Sequence, residues 1–285
     1  MSIDSEADRA ASDWNAEVYD RLSRPQQGWG QAVVGRLALE GHETVIDLGC
    51  GTGRLTERVL DCLPHGRVVA VDYSPSMLEV ARANLRPRFA GRVGFVRADA
   101  AALPFEAAAD AVFSTATFHW VMDHDRLFRS LYTALRPGGR LVAQCGGGPN
   151  LARLLGRARR LAGAPDYARY FKGWTEALRF EEAAPAARRL ETAGFIDVET
   201  ETVPAPVSFA TAGEFEDFLA CVCVRAYVAR LPDEARRSSF LHTLATQAAT
   251  DDPPFTLDYW RLNLNATKPG LGTRPPARPP TCIIW

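Results

Sequence analysis

The chain has 285 residues, 47% of them hydrophobic and 24% charged, the composition of a globular protein long enough for one large core or a core with an insertion. Its formal net charge of -1 exerts no global pull toward nucleic acid or an anionic membrane surface, and no stretch approaches the ~20 apolar residues that a bilayer span needs. The six cysteines, Cys50, Cys62, Cys145, Cys221, Cys223 and Cys282, form no C-x-x-C pair, and Met1-Ser2-Ile3-Asp4 lacks the apolar run of a secretory signal, so the expectation is a metal-free, cytoplasmic monomer.

Between residues 41 and 145, apolar strand-like runs alternate with amphipathic helix-like runs. Residues 44–48 predict a short buried strand that ends in a glycine-rich turn. A helix follows over 54–63, stopped by Pro64. Residues 67–71 predict the second strand, and Ser74-Pro75 opens the next helix with a cap and a proline in its first turn. Residues 93–96, 111–114 and 140–144 predict three more strands, with a helix over 125–135 before the last of them. Such alternation predicts a doubly wound α/β fold, a mostly parallel sheet covered on both faces. Residues 183–193 then predict a helix stopped by Gly194, and 195–203 a strand with one wet face. Helices are expected over 214–231 and 235–249, and a last strand over 257–264, antiparallel and paired with 195–203 to complete seven strands. The domain reading is a cap segment over 1–34, a ligand-binding core over 35–203, a helical lid over 204–254, the last core strand over 255–265, and a disordered Pro/Arg-rich tail over 266–285.

The chemistry concentrates at strand ends. Asp47-Leu48-Gly49-Cys50-Gly51-Thr52-Gly53 lies between the first strand and its helix, where glycines permit a tight turn and close backbone approach to a ligand. Asp72 ends the second strand about 20 positions later, where an acid can accept hydrogen bonds from a ribose diol. A glycine turn plus a later acid is shared with nicotinamide and flavin enzymes. Asp47 separates the readings: a carboxylate there repels a pyrophosphate and suits a ligand with an ammonium group and a cationic sulfur. Asp99, after the third strand, can accept from an adenine amino group, and Met77 can pack on the ring.

In order and spacing these residues resemble the class I S-adenosylmethionine-dependent methyltransferases, over about 45–142. The resemblance implies S-adenosylmethionine as cofactor, with Tyr19, Asp47, Gly49, Gly51, Gly53, Asp72, Met77, Asp99, Ala100 and Thr115 around it. A narrower resemblance, over about 13–265, is to the trans-aconitate methyltransferase family. It is carried by Asp13-Trp14-Asn15 with Tyr19 and Ser23, by Phe118-His119-Trp120-Val121-Met122-Asp123-His124, by Cys223-Val224-Arg225, and by the closing strand. The chain departs from that family in having His119 where the family has Gln, and in running on past its last strand.

This narrower resemblance implies a small-molecule carboxylic acid acceptor and no nucleic-acid or membrane partner. A carboxylate with a solution pKa near ~4 is already ionised at neutral pH, so its methylation needs no general base. His119, Trp120 and Arg225 are the candidates for contact with the reacting groups, Arg225 as a two-point carboxylate anchor. Trp14 and Tyr19 complete the expected acceptor site as donors that exclude water. A different acceptor stays open, among them a malonyl thioester, a quinone precursor or a secondary metabolite; a phenol or amine would make His119 the general base. A non-catalytic cofactor-binding regulator and a nicotinamide oxidoreductase are the remaining alternatives.

Overall fold

The computed structural model describes residues 24–271. A seven-stranded sheet runs in the order β3-β2-β1-β4-β5-β9-β6. Strands β1 (Thr44–Leu48), β2 (Arg67–Asp72), β3 (Val93–Arg97), β4 (Ala109–Thr115) and β5 (Leu135–Gly146) are parallel. β9 (Trp260–Thr267) runs antiparallel to both its neighbours, β5 and β6 (Ile196–Pro204), so β6 points the same way as the first five strands. Every residue of β1 is buried, and its side chains alternate between two cores. Val45 joins Val33, Val59 and Phe113 on one face, while Ile46 and Leu48 join Phe118, Leu131 and Leu264 on the other. This is what a strand covered on both sides requires, and why apolar Val45, Ile46 and Leu48 point to both of its faces.

Helix α1 (Arg24–Arg36) precedes β1, and the helices between later strands are α2 (Arg54–Asp61), α3 (Pro75–Phe89), α4 (His124–Ala134), α5 (Ala152–Ala162) and α6 (Ala183–Ala193). Ser74 caps α3 as its sequence predicts, its hydroxyl accepting from the Met77 N–H at 3.3 Å. Gly194, with φ +106°, closes α6 where an L side chain would be strained.

The last strand sits between β5 and β6, with Arg261 opposite both Gly146 and Val203. It therefore pairs with the 195–203 strand as expected and with β5 as well. It begins at Trp260; Leu257 belongs to a separate ribbon, in which β8 (Thr256–Leu257) pairs with β7 (Val207–Ser208). The strand also passes residue 265. Lys268 Nζ donates to the carbonyls of Tyr132 at 2.8 Å and Leu135 at 2.7 Å, which fixes the chain just beyond β9.

A third core lies in the helical cap: α7 (Ala212–Phe218), a π-type turn (Leu219–Cys223), α8 (Arg225–Val228) and α9 (Glu234–Ala248). The single helix expected over 214–231 is interrupted because the Val224 N–H bonds to the Leu219 carbonyl, five residues back, at 2.9 Å. Leu154, Leu155 and Ala158 of α5, with Tyr167 and Trp174, join the same cluster. The cap thus draws on residues that the sequence reading assigned to the core.

Candidate active site

The glycine turn leaves the sheet at its carboxyl edge. The N–H groups of Gly49 and Cys50 both donate to the Val71 carbonyl, at 2.7 and 3.0 Å, tying the turn to β2. Gly49 has φ +75°, and a Cβ there would lie 1.9 Å from Thr117 Oγ1. Gly51 is different: a Cβ on it would enter open space. Its N–H donates to Asp72 Oδ2 at 2.9 Å, while Asp72 Oδ1 accepts from the Ser74 N–H at 2.9 Å. Gly53 forms the left-handed start of α2. Asp72 is thus held at the end of β2 beside an open cradle of bare backbone, and burial raises its pKa.

Asp47 lies beneath the turn and does not line it. It is 2% exposed, and its Oδ2 accepts from the Thr56 hydroxyl at 2.5 Å. Burial, partly offset by that hydrogen bond, and the Asp72 charge bring its pKa up to about 7. The two carboxylates therefore disfavour each other's ionisation, an arrangement that a cationic ligand would relieve. Further along the same edge, Met77 and Ala100 are buried. Asp99 is exposed, its Oδ1 accepting from the Ala101 N–H at 2.9 Å, and Thr115 ends β4.

His119 and Trp120 sit on a single 3₁₀ turn after β4. Its partners hold the turn firmly. Arg179 donates its N–H to the His119 carbonyl at 2.9 Å and its guanidinium to the Met122 carbonyl at 2.7 Å. The His124 ring meets the Phe118 carbonyl at 3.0 Å. His119 Nδ1 accepts from the Gly146 N–H at 3.3 Å, so its proton is on Nε2. Burial, then the charges of Arg261 and His124, hold its pKa down to about 3. The ring stacks obliquely on Trp120 and Phe180. Trp120 itself is 40% exposed.

Arg225 opens α8, separated from the π-type turn by Val224 alone. Such turns in helices are frequent at functional sites. Cys223 of the turn lies 3.2 Å from the Tyr259 hydroxyl. Tyr259 meets the Trp29 ring edge-on at 5.2 Å, and Arg261 lies over Trp29 at 4.7 Å. A chain of contacts thus leads from the turn before Arg225 to the strand pair that fixes His119. The sequence reading missed Trp29, Tyr259 and Arg261. The signal for Arg261 was an arginine inside a strand whose neighbours Leu262 and Leu264 are core residues. Trp14 and Tyr19 lie outside the described residues.

Comparison with known proteins points one way. Residues 45–139 match a family model described as a methyltransferase domain. A trans-aconitate 2-methyltransferase from Methylobacterium radiotolerans is 38% identical over 133 residues, 47% of this chain and 49% of that one; this chain thus matches about half of that relative's length. The trans-aconitate 2-methyltransferase of an Azoarcus species is 33% identical over 192 residues, 62% of this chain and 70% of the relative. Among solved structures, phosphoethanolamine N-methyltransferase 2 of Haemonchus contortus superposes with a TM-score of 0.62 at 19% identity, over 94% of this chain and 60% of that one. The YcgJ protein of Bacillus subtilis gives 0.61 at 14% identity, over 85% and 99%. With its glycine turn, the acid at the end of β2 and the antiparallel last strand, the chain belongs to the S-adenosylmethionine-dependent methyltransferase family and, within it, resembles the trans-aconitate 2-methyltransferases.

Proposed function

We propose that the chain transfers a methyl group from S-adenosylmethionine to a carboxylate of a small polyacid similar to trans-aconitate, forming a methyl ester. The residues present fit the cofactor. Gly51 leaves open space over bare backbone, Asp72 offers remaining lone pairs to a ribose diol, and the Asp47–Asp72 pair favours a cation. Asp99 suits the adenine amino group, Met77 and Ala100 the ring, and Thr115 the reacting end. When bound, S-adenosylmethionine supplies a methyl group on a positively charged sulfur, which departs with the bonding electron pair as a neutral thioether.

The observation that carries the acceptor reading is the state of His119. Its Nδ1 is engaged by the Gly146 N–H, its Nε2 carries the proton, and its pKa near 3 keeps it neutral. Such a ring donates a hydrogen bond but takes no proton at neutral pH. An acceptor served by it must arrive ionised, as a carboxylate does. The carboxylate oxygen then forms the new bond to carbon with no proton moved. The protein's part is to remove water and align the oxygen with the methyl group, which orientation alone can favour by up to ~7–11 kcal/mol. Arg225 is the anchor for a carboxylate away from the reaction. Trp120 closes the site from outside.

Incubation with methyl-labelled cofactor and panels of carboxylic acids, phenols and amines tests this. Labelled methyl esters of di- or tricarboxylic acids are expected. Labelling confined to phenols or amines overturns the reading. The cofactor site is tested separately with Asp72→Ala, which removes a charged acceptor worth about 10- to 100-fold in affinity. Calorimetry on a folded variant with unchanged affinity would move the ribose acid elsewhere.

A further inference from the structure

Glu181 stands between the two structures that hold His119. Its backbone is tied to the end of β5: it bridges to Gly147, and its carbonyl accepts from the Gly148 N–H at 2.9 Å. A Cβ on Gly147 would lie 2.8 Å from that carbonyl, so glycine is what allows the approach. Gly146, one residue back along β5, is the residue whose N–H holds His119 Nδ1. The side chain of Glu181 reaches the 3₁₀ turn from the other direction. Its Oε2 accepts from the Arg179 guanidinium at 2.8 Å and from Arg189 Nε at 3.1 Å, and it faces His124 Nδ1 at 3.4 Å. Arg179 in turn carries the carbonyls of His119 and Met122, and His124 carries that of Phe118. Arg189 is steadied by Asp125 at 2.6 Å. One carboxylate oxygen thus gathers the two residues that hold three carbonyls of the turn. With its side chain 12% exposed, these contacts are little screened by solvent.

Resting on the reading that this turn meets the acceptor, we propose that Glu181 is a positioning residue for the acceptor side of the site. Through Arg179 and His124 it sets the turn of His119 and Trp120 against the end of β5. A side chain that acts on a reacting group holds its place only as well as the residues behind it. Without the Glu181 charge, the Arg179 guanidinium loses its charge-assisted partner and with it the geometry that brings it to the Met122 carbonyl. The cofactor side stands apart, because the glycine turn is tied to β2 by the Val71 carbonyl and Asp72.

The test uses the full chain with trans-aconitate, or with whichever acid, phenol or amine the labelling panel yields, so failure of the carboxylate reading leaves it standing. Glu181→Gln should lower kcat/KM for the acceptor by about 10- to 100-fold, since a displacement of ~1 Å can cost ~10²-fold, and leave S-adenosylmethionine affinity nearly unchanged. Amide hydrogen exchange gives a readout free of turnover. The Trp120 and Val121 N–H groups, bonded within the turn, should exchange faster in the variant, and those of Gly49 and Cys50 should not. Arg179→Lys keeps the charge but cannot span Met122 and Glu181 at once. It should reproduce the loss and add little to Glu181→Gln when the two are combined, as members of one network do. Glu181→Asp keeps the charge at a shorter reach, should retain part of the activity, and serves if the Gln variant does not fold. A carboxylate that only stabilises the fold would lower the melting temperature and leave both acceptor kcat/KM and exchange in the turn as in the wild type. That result overturns the proposal, as does an equal loss of cofactor and acceptor binding or a fully additive double variant.

Discussion

Asp47→Asn is expected to raise the thermal stability of the ligand-free protein at pH 8 while weakening its affinity for S-adenosylmethionine. The folded chain holds the Asp47 carboxyl at about 7, against 3.8 for a free carboxyl, chiefly through burial. A group whose pKa is raised by folding binds its proton more tightly in the folded state. Stability therefore falls as pH climbs from about 4 through about 7, and above that the full cost is on the order of 4 kcal/mol. Asparagine removes the charge and retains an oxygen for the Thr56 hydroxyl. Its amide needs a partner of its own, so the net gain should be smaller, about 1–3 kcal/mol. Melting curves at pH 5 and pH 8 check this: the variant's advantage should be present at pH 8 and nearly absent at pH 5. Affinity should move the other way, because the cationic ligand loses a buried counter-charge. Calorimetry should show at least a tenfold weakening, and in the wild type cofactor affinity should fall as pH drops below about 7. A variant less stable than wild type at pH 8 would make Asp47 a structural acceptor only.

The cofactor half of the site was legible because its chemistry is local. Asp47, the glycines, Asp72 and Asp99 each sit at a strand end, and a short parallel strand followed by a tight turn fixes such positions within a few residues. Sequence spacing alone placed them on one edge of a sheet. The acceptor half was legible only in pieces. His119 and Arg225 stand out by motif. Trp29, Gly146, Tyr259 and Arg261 are brought together by long-range pairing of β9 with β5 and by packing of α1 on that edge. No local periodicity encodes that meeting. The π-type turn before Arg225 escaped for a similar reason: no local pattern in Leu219–Cys223 distinguishes it from an ordinary helix, and its Cys223 contacts Tyr259, 36 residues further along the chain. The tautomer of His119 was equally invisible, since it depends on a backbone N–H on another strand. That one hydrogen bond favours donor over base in the proposed reading, a choice the sequence left open.

The contrast between Arg225 and His119 puts that decision to experiment. Arg225→Ala should raise the acceptor KM by about 10- to 100-fold and leave cofactor affinity nearly unchanged, because a charge-assisted anchor on the cap is lost while the glycine turn is untouched. Arg225→Lys should fall between, keeping charge without the fork. If the anchor also sets alignment, kcat falls as well, since a displacement of ~1 Å can cost ~10²-fold. His119→Gln should be far milder, within about threefold by the same scale of hydrogen-bond energies. The Gln carbonyl can accept from the Gly146 N–H as Nδ1 does, and its amide can donate where Nε2–H did. The pH profile supplies the independent check. With His119 at about 3, kcat/KM for the acceptor, measured at saturating cofactor, should be flat between pH 6 and pH 8. An acid limb near pH 6–7 that His119→Gln removes, together with a silent Arg225→Ala, would make His119 a base and the acceptor a group that must lose a proton, such as a phenol.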